Sequence, residues 1–279
     1  MSDLRNLLNT IHRADAEKYF AEHTRSEFMG NNTVLCQILG DRKFFAIADD
    51  IGFTPHMVMD GYWEFWLTRY FAKVLRPGDF VIDIGANQGY YTILASELVG
   101  CSGKVVAIEP NPEVFARLVA SVQVNGFSDR VEALNVALAL DGQGAKAPFF
   151  VPRHDCKNGR FVYAGEDPAY LAGFGDIIEV DAVRLEPSRF ERVDFIKIDV
   201  EGAELAVIRQ LRPLLEKFRP GLVCEVNFGR QYRYDDLVDA LGTDQLHFLD
   251  YDSKVKPFTR KMAETENVGE DWLICQERT

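Results

Sequence analysis

Apolar positions at helical spacing open the chain. Leu4, Leu7, Leu8 and Ile11 share one face of a segment running to Phe20, with polar residues opposite, which predicts a helix. The runs Val34–Leu39 and Lys43–Ala48 flank Gly40-Asp41 and predict a hairpin. From Gly61 to Leu75 the pattern is helical and rich in aromatics, with Pro77-Gly78 as the stop. Strand-like and helix-like segments then alternate: a strand at Phe80–Ile84, a helix from about Gly89 to Leu98, a strand at Lys104–Glu109, a helix from about Pro112 to Asn125, and a strand at Arg130–Ala137. Between 141 and 176 the periodicity weakens, and Gly, Pro and aromatic residues predict loops and short strands. The alternation resumes with a strand at Phe195–Asp199, a helix at Ala203–Lys217 and a strand at Leu222–Val226. Strands near Leu246–Asp250 and Trp272–Gln276, joined by a loop, close the chain. Such alternation implies an α/β fold with a mostly parallel sheet covered on both faces, and the last two strands imply an antiparallel C-terminal edge. The expected organisation is a helix and hairpin extension over residues 1–60, then one domain over 61–279 with an insertion near 141–176.

The first two strands of that domain carry chemistry. Val81-Ile-Asp-Ile-Gly-Ala-Asn-Gln-Gly89 reads as a buried strand, a tight glycine turn and the start of a helix, and Ile108-Glu109-Pro110 ends the next strand on a carboxylate. This is the layout of a Rossmann-like, doubly wound nucleotide-binding unit. A dinucleotide fingerprint is G-x-G-x-x-G, whose glycines let the backbone approach a pyrophosphate. Here Asp83-x-Gly85-x-x-x-Gly89 lacks the middle glycine and sets an acid two residues before Gly85. That acid repels a phosphate and attracts an ammonium. Glu109 suits a ribose, because a carboxylate accepts hydrogen bonds from both hydroxyls. A ligand with a ribose, an ammonium and no phosphate is S-adenosylmethionine, which is therefore expected in preference to NAD.

Composition narrows the partners. The formal net charge of −12 opposes a nucleic-acid groove, which needs a basic footprint. Met1-Ser-Asp-Leu-Arg-Asn has no apolar signal core, and charge interrupts every apolar run short of a membrane span, so a soluble, cytoplasmic protein without a transmembrane segment is expected. Cys36, Cys101, Cys156, Cys224 and Cys275 form no C-x-x-C pair and the histidines no pair at metal spacing, which opposes structural zinc and a disulfide framework.

Four segments resemble a known family: Asp83-Ile-Gly-Ala-Asn-Gln-Gly-Tyr-Tyr-Thr92, Ala107-Ile-Glu-Pro-Asn-Pro112, Asn135-Val-Ala137 and Ile196-Lys-Ile-Asp-Val-Glu-Gly-Ala-Glu204. In this order they are similar to the FkbM family of class I, S-adenosylmethionine-dependent methyltransferases, over roughly 61–227, and the last block is the most specific. The resemblance implies methyl transfer to a hydroxyl of a sugar, glycan or sugar-bearing metabolite. The alternatives are an N-methyltransferase on an amine or peptide, whose common Asn/Asp-Pro-Pro-Tyr-type block is absent, and a non-catalytic binding module. A homo-oligomer formed through the N-terminal extension is a further expectation.

The expected cofactor-binding residues are Asp83, Gly85, Asn87 and Gly89 at the first turn, Glu109 and Pro110 after the second strand, and Asn135 and Val136 after the third. Glu64 either sits on a solvent face of the aromatic helix or joins them as a partner for the ammonium, because related O-methyltransferases cover the methionine end with a helix before the first strand. Asn87 either caps a helix or touches the methionine carboxylate, and Asn111 either caps the helix opened by Pro112 or meets the cofactor. Asp199 carries the catalytic expectation: it ends the fourth strand, beside the crevice, and a carboxylate there can take the acceptor's proton. Glu201 and Glu225 converge on the same pocket. The alternative is that Asp199 or Glu201 caps the helix that begins near Gly202. The three acids are also of a type that holds Mg²⁺, although no metal is expected. Lys197 is expected to pair with an acid. His56, Tyr62, Trp63, Trp66 and Tyr90 either line an acceptor pocket or pack the core, with core packing favoured for Trp66. His154–Arg160 is either a lid or an inert excursion.

Overall fold

The computed structural model describes residues 4–140, 142, 144–163, 165–230, 232–266 and 269–278. Positions 141, 143 and 164 of the expected insertion lie outside them. The expected N-terminal helix is two helices, α1 (Leu4–Thr10) and α2 (Arg13–His23). On an unbroken helix Phe20 would lie about 120° around from Leu8. The break at Ile11-His12 lets both be buried in one core. The hairpin forms as β2 (Thr33–Ile38) and β3 (Arg42–Ile47), preceded by β1 (Ser26–Gly30), which pairs antiparallel with β2. Two short helical steps follow: α3 (Thr54–Met59) and α4 (Phe65–Val74).

The central unit runs β4 (Phe80–Ile84), α5 (Tyr90–Val99), β5 (Lys104–Ile108), α6 (Pro112–Val124) and β6 (Val131–Leu134), close to the expected bounds. The predicted strand at Arg130–Ala137 splits, because Ala137–Leu138 leaves the main sheet as β7. The insertion is more regular than expected. β8 (Lys146–Pro152), β9 (Arg160–Phe161), the short helix α7 (Pro168–Leu171) and β10 (Gly175–Val183) build a four-stranded sheet in the order β7-β10-β8-β9. β8 and β10 pair antiparallel over seven positions, from Gly175↔Pro152 to Asp181↔Lys146. The main chain of alternation returns with β11 (Phe195–Ile198), α8 (Glu204–Phe218) and β12 (Gly221–Asn227). The C-terminal part holds α9 (Tyr234–Leu241), β13 (His247–Leu249), β14 (Val255–Pro257), α10 (Arg260–Thr265) and β15 (Asp271–Gln276). A strand and a helix, not a loop, therefore separate the two expected terminal strands.

The large sheet has the order β14-β13-β15-β12-β11-β4-β5-β6. From β12 to β6 neighbours run parallel; β15, β13 and β14 form the antiparallel edge. Strand parity assigns the faces. Val81, Val105, Phe195 and Val223 pack with Leu8, Phe71, Tyr91 and Leu94 of α1, α4 and α5. Ile82, Val106, Ile196 and Leu222 pack with Leu211 of α8, Leu237 of α9 and Phe149 of the insertion sheet. The chain winds outward from β4 to β6 and then returns to β11 on the other side of β4. Ligands of such sheets bind at the carboxyl ends of the strands where the winding reverses. Here that point lies between Ile84 and Ile198. Among the described residues, no helix is long and apolar enough to cross a membrane.

Candidate active site

The turn after β4 is held by its neighbours. Gly85 has φ 74°, and a Cβ there would overlap the carbonyl oxygen of Asp199, so only glycine lets the ends of β4 and β11 approach so closely. The amides of Gly85 and Ala86 both donate to the Ile108 carbonyl, at 3.0 and 2.9 Å. Asn87 is left-handed at φ 50°, and its amide donates to Glu109 Oε2 at 2.9 Å. Glu109 Oε1 accepts from the Asn111 amide at 2.8 Å, so one carboxylate ties two loops together. Glu109 is only 7% exposed. Burial pushes its pKa up to about 7, against the pull of those two amides. Asn135 Nδ2 donates to the carbonyls of Glu109 and Pro110 and braces the same loop.

Gln88 is a residue that pattern reading passes over. It is buried, its Oε1 accepts from the Ile47 amide at 2.8 Å, and its Nε2 donates to Asp50 Oδ2 at 2.8 Å. The N-terminal extension is thereby pinned to the glycine turn. Cys156 of the insertion also bonds Asp50 Oδ2, at 3.1 Å.

An inner cavity opens over this turn. Gly85, Asn87, Glu109, Pro110, Val136 and Asp199 line its floor, and Phe149, Cys156, Lys157, Gly159 and Phe161 of the insertion roof it. Its free volume is about 60 Å³, so the insertion sheet sits down on the floor. His154–Arg160 is thus no inert excursion; its middle residues close the cavity.

Beneath the floor, Lys197 is the hub. Strand register sets Lys197 beside Asp83. Its ammonium lies 3.6 Å from Asp83 Oδ1, 3.2 Å from Asp199 Oδ2 and 3.2 Å from the Gly85 carbonyl, and 5.1 Å from the centre of the Tyr91 ring. Burial alone would lower its pKa, but Asp199 and Asp83 outweigh that and raise it. Asp83, expected at the cofactor's ammonium, lies beneath the cavity floor. It is 1% exposed, accepts from Thr92 Oγ1 at 2.7 Å, pairs with Lys197, and does not line the cavity. In this arrangement it holds Lys197 under the turn. Gly89 is likewise a packing residue: it is the left-handed N-cap of α5, and a Cβ there would press on Leu118 at 3.1 Å.

Three acids converge beyond the turn. Carboxylate oxygens of Asp199, Glu201 and Glu225 all lie within 4.8 Å of one another. Asp199 keeps 32% of its side chain exposed. Glu201, left-handed at φ 52°, pairs with Arg230 at 2.7 Å. Burial and then Asp199 push Glu201 up to about 7, with Arg230 offsetting part of it. Glu225 is raised well above the ordinary range by burial, then by Asp199, Glu64, Asp271 and Glu201. Like charges this close favour keeping a proton among them. Neither Asp199 nor Glu201 caps α8. Its N-cap is Ala203, and the loop is held by Glu204, which accepts from the Gly202 amide and from the Tyr232 hydroxyl, both at 2.8 Å.

Glu64 sits just before α4, at φ 36°, and not on the helix's solvent face. It accepts from the Tyr91 hydroxyl at 2.6 Å. Burial, with Asp199 adding, pushes it up to about 7 against that bond. It lines an outer cleft with Glu225, on the far side of the acids from the inner cavity. Trp66 packs against the core, as expected, and also lines this cleft. Tyr90 is buried with its hydroxyl 2.9 Å from Thr68 Oγ1, a core contact. His56 pairs with Asp60 at 2.9 Å and stacks edge-on to Trp63, away from the acids' cavity and cleft. Asn111 caps α6 by accepting from the Glu113 amide, and Asn87 Oδ1 bonds its neighbour's amide, not a helix end.

Residues 83–252 match the FkbM methyltransferase domain, which is more than half of the chain. The chain belongs to the FkbM methyltransferase family. It is 31% identical over 159 residues to the 31-O-demethyl-FK506 methyltransferase FkbM of Streptomyces tacrolimicus, covering 48% of this chain and 60% of that protein. It is 39% identical over 75 residues to protein-L-isoaspartate O-methyltransferase 2 of Archaeoglobus fulgidus, covering 27% of this chain and 33% of that one. A solved FkbM methyltransferase from Methylobacillus flagellatus aligns with a TM-score of 0.42 at 15% identity, over 75% of this chain and 50% of that chain. The matched stretches thus span well under the full length of these relatives. The floor described above fits the family's cofactor in chemistry: an acid at the end of β5, a glycine turn without a phosphate cradle, and acids beside the end of β11.

Proposed function

We propose that this chain transfers a methyl group from S-adenosylmethionine to a hydroxyl of a sugar, glycan or sugar-bearing metabolite. The observation that carries the reading is the junction of β4 and β11, where Asp199 borders both the inner cavity and the narrow gap to Glu225. Glu109 would hold the ribose hydroxyls, and Asn87, Pro110 and Val136 would bound the nucleoside. When bound, S-adenosylmethionine supplies a methyl on a sulfonium, whose C–S bond breaks as the C–O bond to the acceptor forms. The chain's own work is orientation and proton removal. Lys197 fixes one oxygen of Asp199, leaving the other for the acceptor hydroxyl. The hydroxyl proton passes to Asp199 and is retained within the cluster it forms with Glu201 and Glu225, where one proton relieves the mutual repulsion. Arg230 holds Glu201 in place and offsets part of the rise in its pKa.

Calorimetry with S-adenosylhomocysteine and with NAD tests the cofactor, and mass spectrometry of sugar acceptors after incubation tests the transfer. Binding of NAD without response to S-adenosylhomocysteine, or a methyl found on nitrogen, would refute the reading.

A further inference from the structure

We propose that the acceptor enters through the outer cleft beside Glu225 and carries a cationic amine alongside its hydroxyl, as an amino sugar or aminocyclitol does. The inference rests on the methyl-transfer reading above. The cleft has a volume of about 650 Å³, between the start of α4 and the antiparallel edge of the sheet. That size suits a small ligand of one to a few rings. Glu225 lines both this cleft and the closed gap that holds Asp199, so a ligand seated here meets the outermost carboxylate of the three-acid cluster.

The cleft's lining is one-sided in charge. Glu64, Glu225, Glu270 and Asp271 face it; burial makes Glu64 and Glu225 hold their protons more tightly, which leaves Glu270 and Asp271 as the exposed acids of the lining, whereas Lys256 lies 2.6 Å from Asp250, another lining acid, and is neutralised by it. Asp271 accepts from Asn227 Nδ2 at 2.8 Å, a bond that orients it without cancelling its charge. This is not the chain's net charge showing everywhere. Across Tyr251 the neighbouring groove has a mixed lining, with Arg13, Arg69 and Lys254 beside Asp252, so the acidic lining does not continue past Tyr251. Trp66 and Tyr251 meet edge to face at 4.9 Å on its wall, and Tyr251 is 63% exposed. Aromatic faces hold both sugar rings and ammonium groups. Trp272 closes the wall at 9% exposed, with its ring packed against Phe248 and Phe258. Acids and exposed aromatic surface together describe a polyol bearing positive charge. An anionic acceptor such as a sugar nucleotide would be repelled.

The test uses the full chain saturated with S-adenosylhomocysteine, titrated by NMR with glucosamine, N-acetylglucosamine and glucuronate. These share a ring and differ in charge. Glucosamine is expected to bind about tenfold more tightly than N-acetylglucosamine, the effect of one charge pair in a half-wet cleft, and glucuronate more weakly than either. The double variant Glu270→Gln, Asp271→Asn should erase most of glucosamine's advantage and leave S-adenosylhomocysteine affinity unchanged, which also shows that it is folded. Equal or tighter binding of the neutral or anionic ring, or no glucosamine binding, overturns the proposal. Failure of S-adenosylhomocysteine itself to bind would instead overturn the methyl-transfer reading.

Discussion

Replacing Glu109 by Gln separates what this carboxyl does for the fold from what it does for the ligand. Burial lifts its pKa from the ordinary 4.5 to about 7. The folded protein therefore holds this proton more tightly than the unfolded chain does. Between pH 4.5 and 7 it binds more protons than the unfolded chain, so this group's contribution to stability falls as pH rises and is fully unfavourable above 7. A shift of that size corresponds to about 3 kcal/mol. Glutamine removes the penalty but can accept only one of the two amides, Asn87 or Asn111, and sets its own NH₂ against the other, a loss of about 1–3 kcal/mol. The two effects nearly cancel at pH 8, where the ligand-free variant should melt close to wild type. At pH 5 only the loss remains, and the variant should be less stable. Binding should respond differently. Losing a charged acceptor for the ribose costs about 1.5–3 kcal/mol, or roughly 10- to 150-fold in affinity for S-adenosylhomocysteine at pH 8. In the wild type the dissociation constant should be flat above about pH 7.5 and rise up to about tenfold per unit below 7, as protons compete for Glu109; the variant should lose that share of the slope. Calorimetry across pH 5.5–8.5, with thermal melts of both proteins, measures all of this. Wild-type affinity of the variant at pH 8 would refute the ribose assignment.

Lys197→Met should destabilise the fold by about 3–5 kcal/mol in a denaturant titration, because Asp83 is left charged and buried without its partner; a change below about 1 kcal/mol would contradict the hub reading. Asp199→Asn should lower kcat by about 10²–10⁴ while S-adenosylhomocysteine affinity stays near wild type, and a rise in KM alone would reduce Asp199 to orienting the acceptor. Activity should survive EDTA, since Lys197 and Arg230 already neutralise Asp199 and Glu201; loss of turnover restored by Mg²⁺ would make the three acids a metal site. Binding of S-adenosylhomocysteine should alter amide hydrogen exchange across Phe149–Phe161, because the roof must lift from a cavity of about 60 Å³, and unchanged exchange there would remove the insertion from the site.

Pattern reading works where a strand is buried on both faces and ends in a turn that only glycine can make. β4 and its glycine turn were legible for that reason, β5, β11 and β12 for their buried apolar runs, and the cap at Asn111 for its place before Pro112. It fails where the signal is not periodic. β10 is exposed along much of its length, so neither alternation nor a continuous apolar run marks it. Glu64 looked helical because an aromatic helix follows it, but a left-handed residue breaks the chain there and turns its carboxyl inward. Trp66 packs against the core as expected and also borders the cleft, which nothing local to it announces because the C-terminal edge that leaves the cleft lies far along the chain. The link from Gln88 to Asp50 and Ile47 joins segments about forty residues apart, with no motif in either.

Parity along the strands explains why so many charges meet in one place. Asp83, Lys197 and Glu225 share the face of Val81, Phe195 and Val223, and register sets Lys197 between Asp83 and Val223. That face is covered by α4 and α5, so the polar residues at its carboxyl end are buried together with Glu64 and Tyr91. One ammonium, Lys197, then serves Asp83 and Asp199, and one guanidinium, that of Arg230, serves Glu201. Among the described residues, Glu225 and Glu64 are left with no ion pair of their own. Water cannot screen them well, so each responds in the one way open to a carboxyl, by holding a proton more tightly. A site with more carboxyls than cations can accept a proton from a hydroxyl and can attract a positive ligand for the same electrostatic reason. The proton acceptor and the cleft then share one crowd of carboxyls, in which Glu225 is the link, placed there by its odd position on β12 beside Lys197 on β11.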